Sequence, residues 1–195
     1  MRILIIALVR TGGYQFNDWL ALELGYERVH EPIVRNVSTE GKDNIVVKNL
    51  INDYEKDINL HNDLKNWDRI IGLTRENTYD TAISHVYALQ NKEWRLPYNV
   101  TDEWILENEN EIKEVEQWFI ESTNYLKAIK EIELFVTYEG IYYTKEDIQR
   151  VKDYVGIKNA KYKHLLDNSN KLRDRPIPKE TGKYKQPWCE PIRFV

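Results

Sequence analysis

Met1-Arg2-Ile3-Leu4-Ile5-Ile6-Ala7-Leu8, running into Val9-Arg10-Thr11-Gly12-Gly13-Tyr14, is the stretch that decides the fold. The first eight residues are almost continuously apolar, with no alternation, which marks a central strand covered on both faces. The paired glycines then break the run into a tight loop. From Tyr14 the period becomes helical: Phe16, Leu20 and Leu24 fall on one stripe, and Gly25 stands where a helix C-cap is expected. Strand, glycine loop and helix thus fill the first 25 residues.

Working outward, His30-Glu31-Pro32 reads as a loop, because the residue before proline avoids the helical region. Ile45–Lys48 is a short strand, residues 52–68 are a polar helix, and Arg69–Thr74 is a second buried strand. Residues 79–90 form a helix, and residues 103–130 form one long amphipathic helix carrying Ile112, Val115, Phe119, Leu126 and Ile129 on its inner face. Leu134–Tyr138 is the last strand. Thr144 with Asp147 resembles a capping box that opens a helix to about Val155, closed by Gly156. Beyond Asn168 the chain is rich in Pro, Lys and Arg without periodicity, and reads as an extended segment wrapping the body.

Alternating strands and helices predict an α/β fold, a three-layer sandwich around a central parallel sheet. Residues 1–195 are expected to form a single domain, with an extended basic segment from about 168 to 195. In such sheets the ligand site lies beyond the carboxyl ends of the strands, where this sequence places Arg10–Tyr14, Lys48 and Arg75.

Composition narrows the partners. Hydrophobic residues make up 42%, charged residues 31% and the net charge is −4, so the surface as a whole is not built for nucleic acid. Residues 171–185 nevertheless carry six Lys/Arg against two Asp/Glu, a local balance that suits a discrete anion or a solvated loop. The apolar run Ile3–Val9 is too short to span a membrane and lacks a cleavage pattern. Cys189 is the only cysteine, which excludes an internal disulfide and fits a cytoplasmic protein. Tyr87, Trp94, Trp104 and Trp118 are candidates for either a wall of a binding cleft or packing.

The loop after the first strand is suited to phosphate. Glycines let backbone N–H groups approach an anion, and the helix N-terminus adds a favourable dipole. No G-x-x-x-x-G-K-[ST] sequence occurs, which removes the best marker of a nucleotide or sugar kinase. No cluster of Asp, Glu or His marks a metal site either.

Three segments in register resemble the sulfotransferase superfamily. Leu8–Tyr14 followed by Trp19-Leu20 is similar to the family's 5′-phosphosulfate loop. Ile71–Arg75 through Ala82-Ile83-Ser84 resembles its 3′-phosphate element, and Phe135–Glu139 with Tyr154–Ile157 its late strand and helix. The resemblance implies a donor, 3′-phosphoadenosine 5′-phosphosulfate (PAPS), no metal, and a sulfuryl transfer to a hydroxyl or amine of a small-molecule or glycan acceptor. It assigns Arg10 to the bridging oxygen, and Thr11, Gly12, Gly13 and Tyr14 to the 5′-phosphate. Arg75 and Ser84 take the 3′-phosphate, with Arg173 as a late contact from the basic segment. Lys48 would steady the sulfuryl group.

The sequence departs from the family at Val9, Gly13 and Tyr14, and has no His after Lys48. Glu31 is the first candidate for general base, as in some bacterial members, followed by His30 and then His61. A non-catalytic relative that binds a nucleotide or a protein is the alternative reading.

Overall fold

The computed structural model describes residues 1–35, 37–54, 57–92, 100–162 and 166. Five strands form one parallel sheet: β1 (Arg2–Ala7), β2 (Glu27–His30), β3 (Ile45–Leu50), β4 (Arg69–Thr74) and β5 (Leu134–Thr137), in the order β2-β3-β1-β4-β5. The helices are α1 (Gly13–Leu24), α2 (Pro32–Arg35), α3 (Asp57–Leu64), α4 (Thr78–Asn91), α5 (Asp102–Glu107), α6 (Glu109–Ala128), α7 (Tyr138–Tyr142) and α8 (Glu146–Val155), with a 3-10 turn at Ile51–Asp53.

β1 lies in the middle, paired with β3 on one side and β4 on the other. Strand parity sorts its side chains between two cores. Ile3, Ile5 and Ala7 pack with Phe16, Trp19 and Leu20 of α1 and with Val151 and Val155 of α8. Leu4, Ile6 and Leu8 pack with Leu60 and Leu64 of α3, Val86 of α4 and Phe119 of α6. The three-layer α/β architecture expected from the sequence is the one observed. Because α1 follows β1 onto one face and α4 follows β4 onto the other, a crevice opens between the carboxyl ends of these neighbouring strands.

Several boundaries differ from the sequence reading. β2 went unread because Glu-Arg-Val-His is short and polar; it is an edge strand with one buried apolar residue, Val29. The region 103–130 is two helices, divided at Asn108, whose backbone N–H closes α5 and whose carbonyl accepts from Ile112 to open α6. Residues 52–68 hold the short α3 rather than one long helix. Thr144 does not cap α8: the cap position is Lys145, and Asp147 turns inward to accept from the Thr137 N–H at 2.8 Å. Gly25 and Gly156 do end α1 and α8 in left-handed conformation. Among the described residues no helix is long and apolar enough to cross a membrane. The basic segment from about 168, with Arg173 and Cys189, lies outside the described residues, as does Trp94.

Gly72 sits in β4 opposite Phe135 of β5. A Cβ there would stand 2.6 Å from the Phe135 ring and 3.2 Å from Ile132 Cγ2. Gly72→Ala is therefore expected to cost about 1–3 kcal/mol through overpacking. That is a fall in melting temperature of roughly 2–12 °C for a domain of this size. An unchanged melting curve would mean that the β4–β5 contact is looser than described.

Candidate functional site

All five strands deliver polar residues to the same end of the sheet. The loop after β1 runs from Leu8 to Gly12, with Arg10 (φ 65°) and Gly12 (φ 71°) in the left-handed region. Gly12 has no room for a side chain, since a Cβ would lie 2.7 Å from the Tyr142 ring. The Tyr142 hydroxyl also donates to the Gly12 carbonyl at 2.7 Å, so α7 presses on the loop from the side. Thr11 is buried, and its hydroxyl donates to the Leu8 carbonyl at 2.7 Å, which directs its proton into the loop itself.

Arg10 reaches across the crevice. Its Nε donates to Ser84 Oγ on α4 at 2.9 Å, joining the loop to the far wall. Arg75, just past β4, donates from Nη1 to the Arg10 carbonyl at 3.4 Å and lies 4.7 Å over the Tyr138 ring. Burial, and then the neighbouring Arg75, lower the Arg10 guanidinium to about 10. Two guanidinium groups brought together in this way form a corner that favours an anion. The family resemblance implies opposite ends of a ligand for Arg10 and Ser84; here they bond directly.

A second cluster stands on the other side of the loop. Strand parity turns Lys48 toward α1, where it is almost fully buried. Its Cε would be 3.1 Å from a Cβ at Gly13, so this glycine makes room for the lysine stem. Lys48 Nζ donates to Glu31 Oε1 at 2.5 Å, and the Tyr14 hydroxyl donates to Glu31 Oε2 at 2.9 Å. Arg35 donates to the Tyr14 hydroxyl at 3.1 Å. Burial lowers the Lys48 ammonium, and Glu31 opposes that effect by favouring the charge. The Tyr14 phenol is raised by burial and then by the Glu31 carboxylate, so it stays a donor. Glu31 itself is in the left-handed region (φ 49°), held there between β2 and the proline that opens α2.

His30 takes a supporting place. Its Nδ1 accepts from Asn17 Nδ2 at 3.1 Å, which leaves Nε2–H to donate to Asp18 Oδ1 at 2.9 Å. Its ring stacks on Tyr14 with centroids 4.4 Å apart. Both ring nitrogens are thus engaged in orienting Tyr14 rather than facing the crevice. His61 pairs with Glu131, ahead of β5 at the amino side of the sheet, which places it away from the loop. Tyr87 packs on Trp104, and Trp118 on His85 and Phe119, so these aromatics join helices α4, α5 and α6 together.

Residues without an assigned role in the sequence also converge here. Tyr138 and Glu139, which the sequence offers only as part of a late-strand pattern, flank Arg75. Asp53 accepts from the Leu50 N–H at 2.8 Å beneath the Lys48–Glu31 pair. Among the described residues, no group of three or more His, Cys, Asp or Glu could hold a metal ion.

No family model matches the sequence, and no curated protein matches it. A solved structure does: a mouse sulfotransferase, SULT7A1, complexed with PAP, with a TM-score of 0.52 and 15% identity. The fold is sulfotransferase-like. The match covers 81% of this chain and 59% of the mouse protein, so the chain spans about three-fifths of that enzyme's length.

Two outcomes are expected from the buried groups. Lys48→Met strands the Glu31 charge and is expected to cost about 3–5 kcal/mol in urea unfolding. Adding Glu31→Gln to it should recover part of that loss; a double variant as unstable as the sum of the singles would remove the pairing. Asp53 gives a pH signature. Burial pushes its carboxyl from 3.8 up to about 7, against the Leu50 hydrogen bond. The folded state then binds this proton more tightly than the unfolded one. Its stabilising contribution is full below pH 4 and lost as the pH rises through about 7. Asp53→Asn keeps an acceptor for Leu50 and is expected to flatten the decline in melting temperature between pH 4 and 7.5. Parallel curves for parent and variant would contradict the shift.

Proposed function

We propose that this chain is a sulfotransferase that takes the sulfuryl group of PAPS to a hydroxyl or amine of a small-molecule or glycan acceptor. The observation that carries the reading is the buried Lys48–Glu31 pair set against Gly13 of the glycine loop. A cation for a leaving phosphate and a carboxylate for an acceptor proton then flank one anion-binding backbone. The sulfotransferase-like fold, with a PAP-bound neighbour, supports the choice of donor.

In this reading the N–H groups of Gly12, Gly13 and Tyr14 at the start of α1 cradle the 5′-phosphate. Arg10, Arg75 and Ser84 line the crevice for the 3′-phosphate side, and Arg173 with the basic segment completes it. The acceptor oxygen or nitrogen attacks sulfur, forming its bond as the sulfur–oxygen bond to the 5′-phosphate breaks. The electron pair leaves on the phosphate oxygen, where Lys48 stabilises the developing charge. The acceptor proton passes to Glu31, the products being the sulfated acceptor and PAP. Lys48 takes the role at the bridging oxygen that the sequence reading gave to Arg10, because Arg10 is directed at Ser84. We take the chain to act as a single cytoplasmic domain, with no nucleic-acid partner.

The non-catalytic alternative has one observation in its favour. Both Glu31 oxygens already have donors, Lys48 and Tyr14, so an acceptor hydroxyl or amine must compete with them for the carboxylate.

One experiment separates the two. PAP at about 100 times its dissociation constant is expected to stabilise the parent by roughly 2.7 kcal/mol, an effect that Arg75→Ala should abolish. Turnover of sulfur-labelled PAPS against an acceptor panel should then fall by about 100-fold or more in Glu31→Gln with the PAP shift retained. A PAP shift without turnover in the parent would favour the non-catalytic relative. No shift at millimolar PAP would end the sulfotransferase reading.

A further inference from the structure

Glu139, the second residue of α7, stands at the carboxyl end of β5 beside β4. Its carboxylate is divided among three partners on one turn. Oε2 accepts from the Glu76 N–H at 2.9 Å, Oε1 accepts from the Asn77 N–H at 3.3 Å, and Oε1 lies 3.7 Å from Arg75 Nε. One acid therefore holds both the guanidinium of Arg75 and the backbone of the two residues that follow it. Glu139 and Arg75 are both largely buried, with side chains 20% and 18% exposed, so solvent competes weakly for the contact.

The rest of the guanidinium is equally constrained. Tyr138 lies under its face and the Arg10 carbonyl takes Nη1. Nη2 carries no hydrogen bond among the described residues, and Nε has only the long contact to Glu139. The arginine is thus oriented by an acid, a ring and a carbonyl while retaining donors for an anion. A guanidinium fixed in this way loses little freedom when it binds two phosphate oxygens. Two backbone N–H groups share the Glu139 charge, so the acid steers Arg75 without presenting a bare anion to the ligand.

We propose that Glu139 is a positioning residue that sets the preference for a nucleotide bearing a 3′-phosphate over one without it, an inference that rests on the donor reading above. The groups that touch the 5′-phosphate lie on a different loop, so loss of Glu139 should act on the 3′ end alone.

The experiment is calorimetric titration of the full chain with PAP and with AMP. Parent, Glu139→Gln, Arg75→Ala and the double variant are compared, each first checked for a cooperative melt. The parent should prefer PAP. Glu139→Gln is expected to weaken PAP by roughly tenfold and leave AMP unchanged. In the Arg75→Ala background it should have no further effect on PAP. Should Glu139→Gln fail to fold, Glu139→Asp, which keeps the charge but shortens the reach, serves the same comparison. Equal weakening of PAP and AMP would make Glu139 a purely structural cap, and an undiminished PAP preference would remove it from the site. Both outcomes overturn the proposal while leaving the donor reading intact. A parent that binds AMP and PAP alike would overturn the donor reading itself, and the proposal with it.

Discussion

The organisation of this molecule follows from one constraint: β1 is buried on both faces. A strand covered by helices above and below has no polar exit along its length, so its polar groups must gather at its ends. The parallel arrangement then places all five carboxyl ends together, and the opposite departures of α1 and α4 leave a gap between β1 and β4. Arg10, Arg75 and Ser84 meet in that gap, and Glu31, Lys48, Tyr138 and Glu139 stand at its margins. Position in the sheet, rather than proximity in sequence, brings them together.

Lys48 is the exception that shapes the neighbourhood. It is a cation inside the sheet, with Val46 and Leu50 as its neighbours two residues away on the strand, and a buried ammonium without a partner would be strongly unfavourable. Glu31 supplies the partner, Tyr14 holds the second Glu31 oxygen, and His30 stacks on Tyr14 from a ring fixed by Asn17 and Asp18. A short edge strand with little core of its own is thereby joined to the glycine loop through a chain of polar contacts. The other side of the loop is secured differently, by the Tyr142 hydroxyl on the Gly12 carbonyl and by the bond between Arg10 and Ser84.

The sheet core, the glycine loop and the first helix were legible because each depends on local pattern: an uninterrupted apolar run, paired glycines, a helical stripe. β2 was not, since an edge strand of four residues needs only one buried side chain and its pairing with β3 is a tertiary fact. Asn108 divides the long helix through backbone bonds that periodicity does not register. At the candidate site, the loop residues, Lys48 and Arg75 could be nominated from their places after strands, and Glu31 only from the family resemblance. Their partners could not: the Lys48–Glu31 distance spans 17 positions of sequence, and the Tyr142–Gly12 bond spans 130. Asp147 shows the same limit, for a pattern read as a local cap proved to be a link back to β5.

The left-handed conformations of Arg10 and Glu31 carry a consequence for the molecule as a whole. Neither residue is glycine, and such a backbone costs roughly 1–2 kcal/mol at each position. A domain's entire margin over the unfolded chain is about 5–15 kcal/mol. The two corners that aim these side chains therefore take up an appreciable part of that margin. Glycine at position 10 would relieve that cost and remove the tie to Ser84, whereas glycine at position 31 would relieve it only by stranding the buried Lys48 ammonium. Backbone ease and side-chain partnership pull in opposite directions at these two residues.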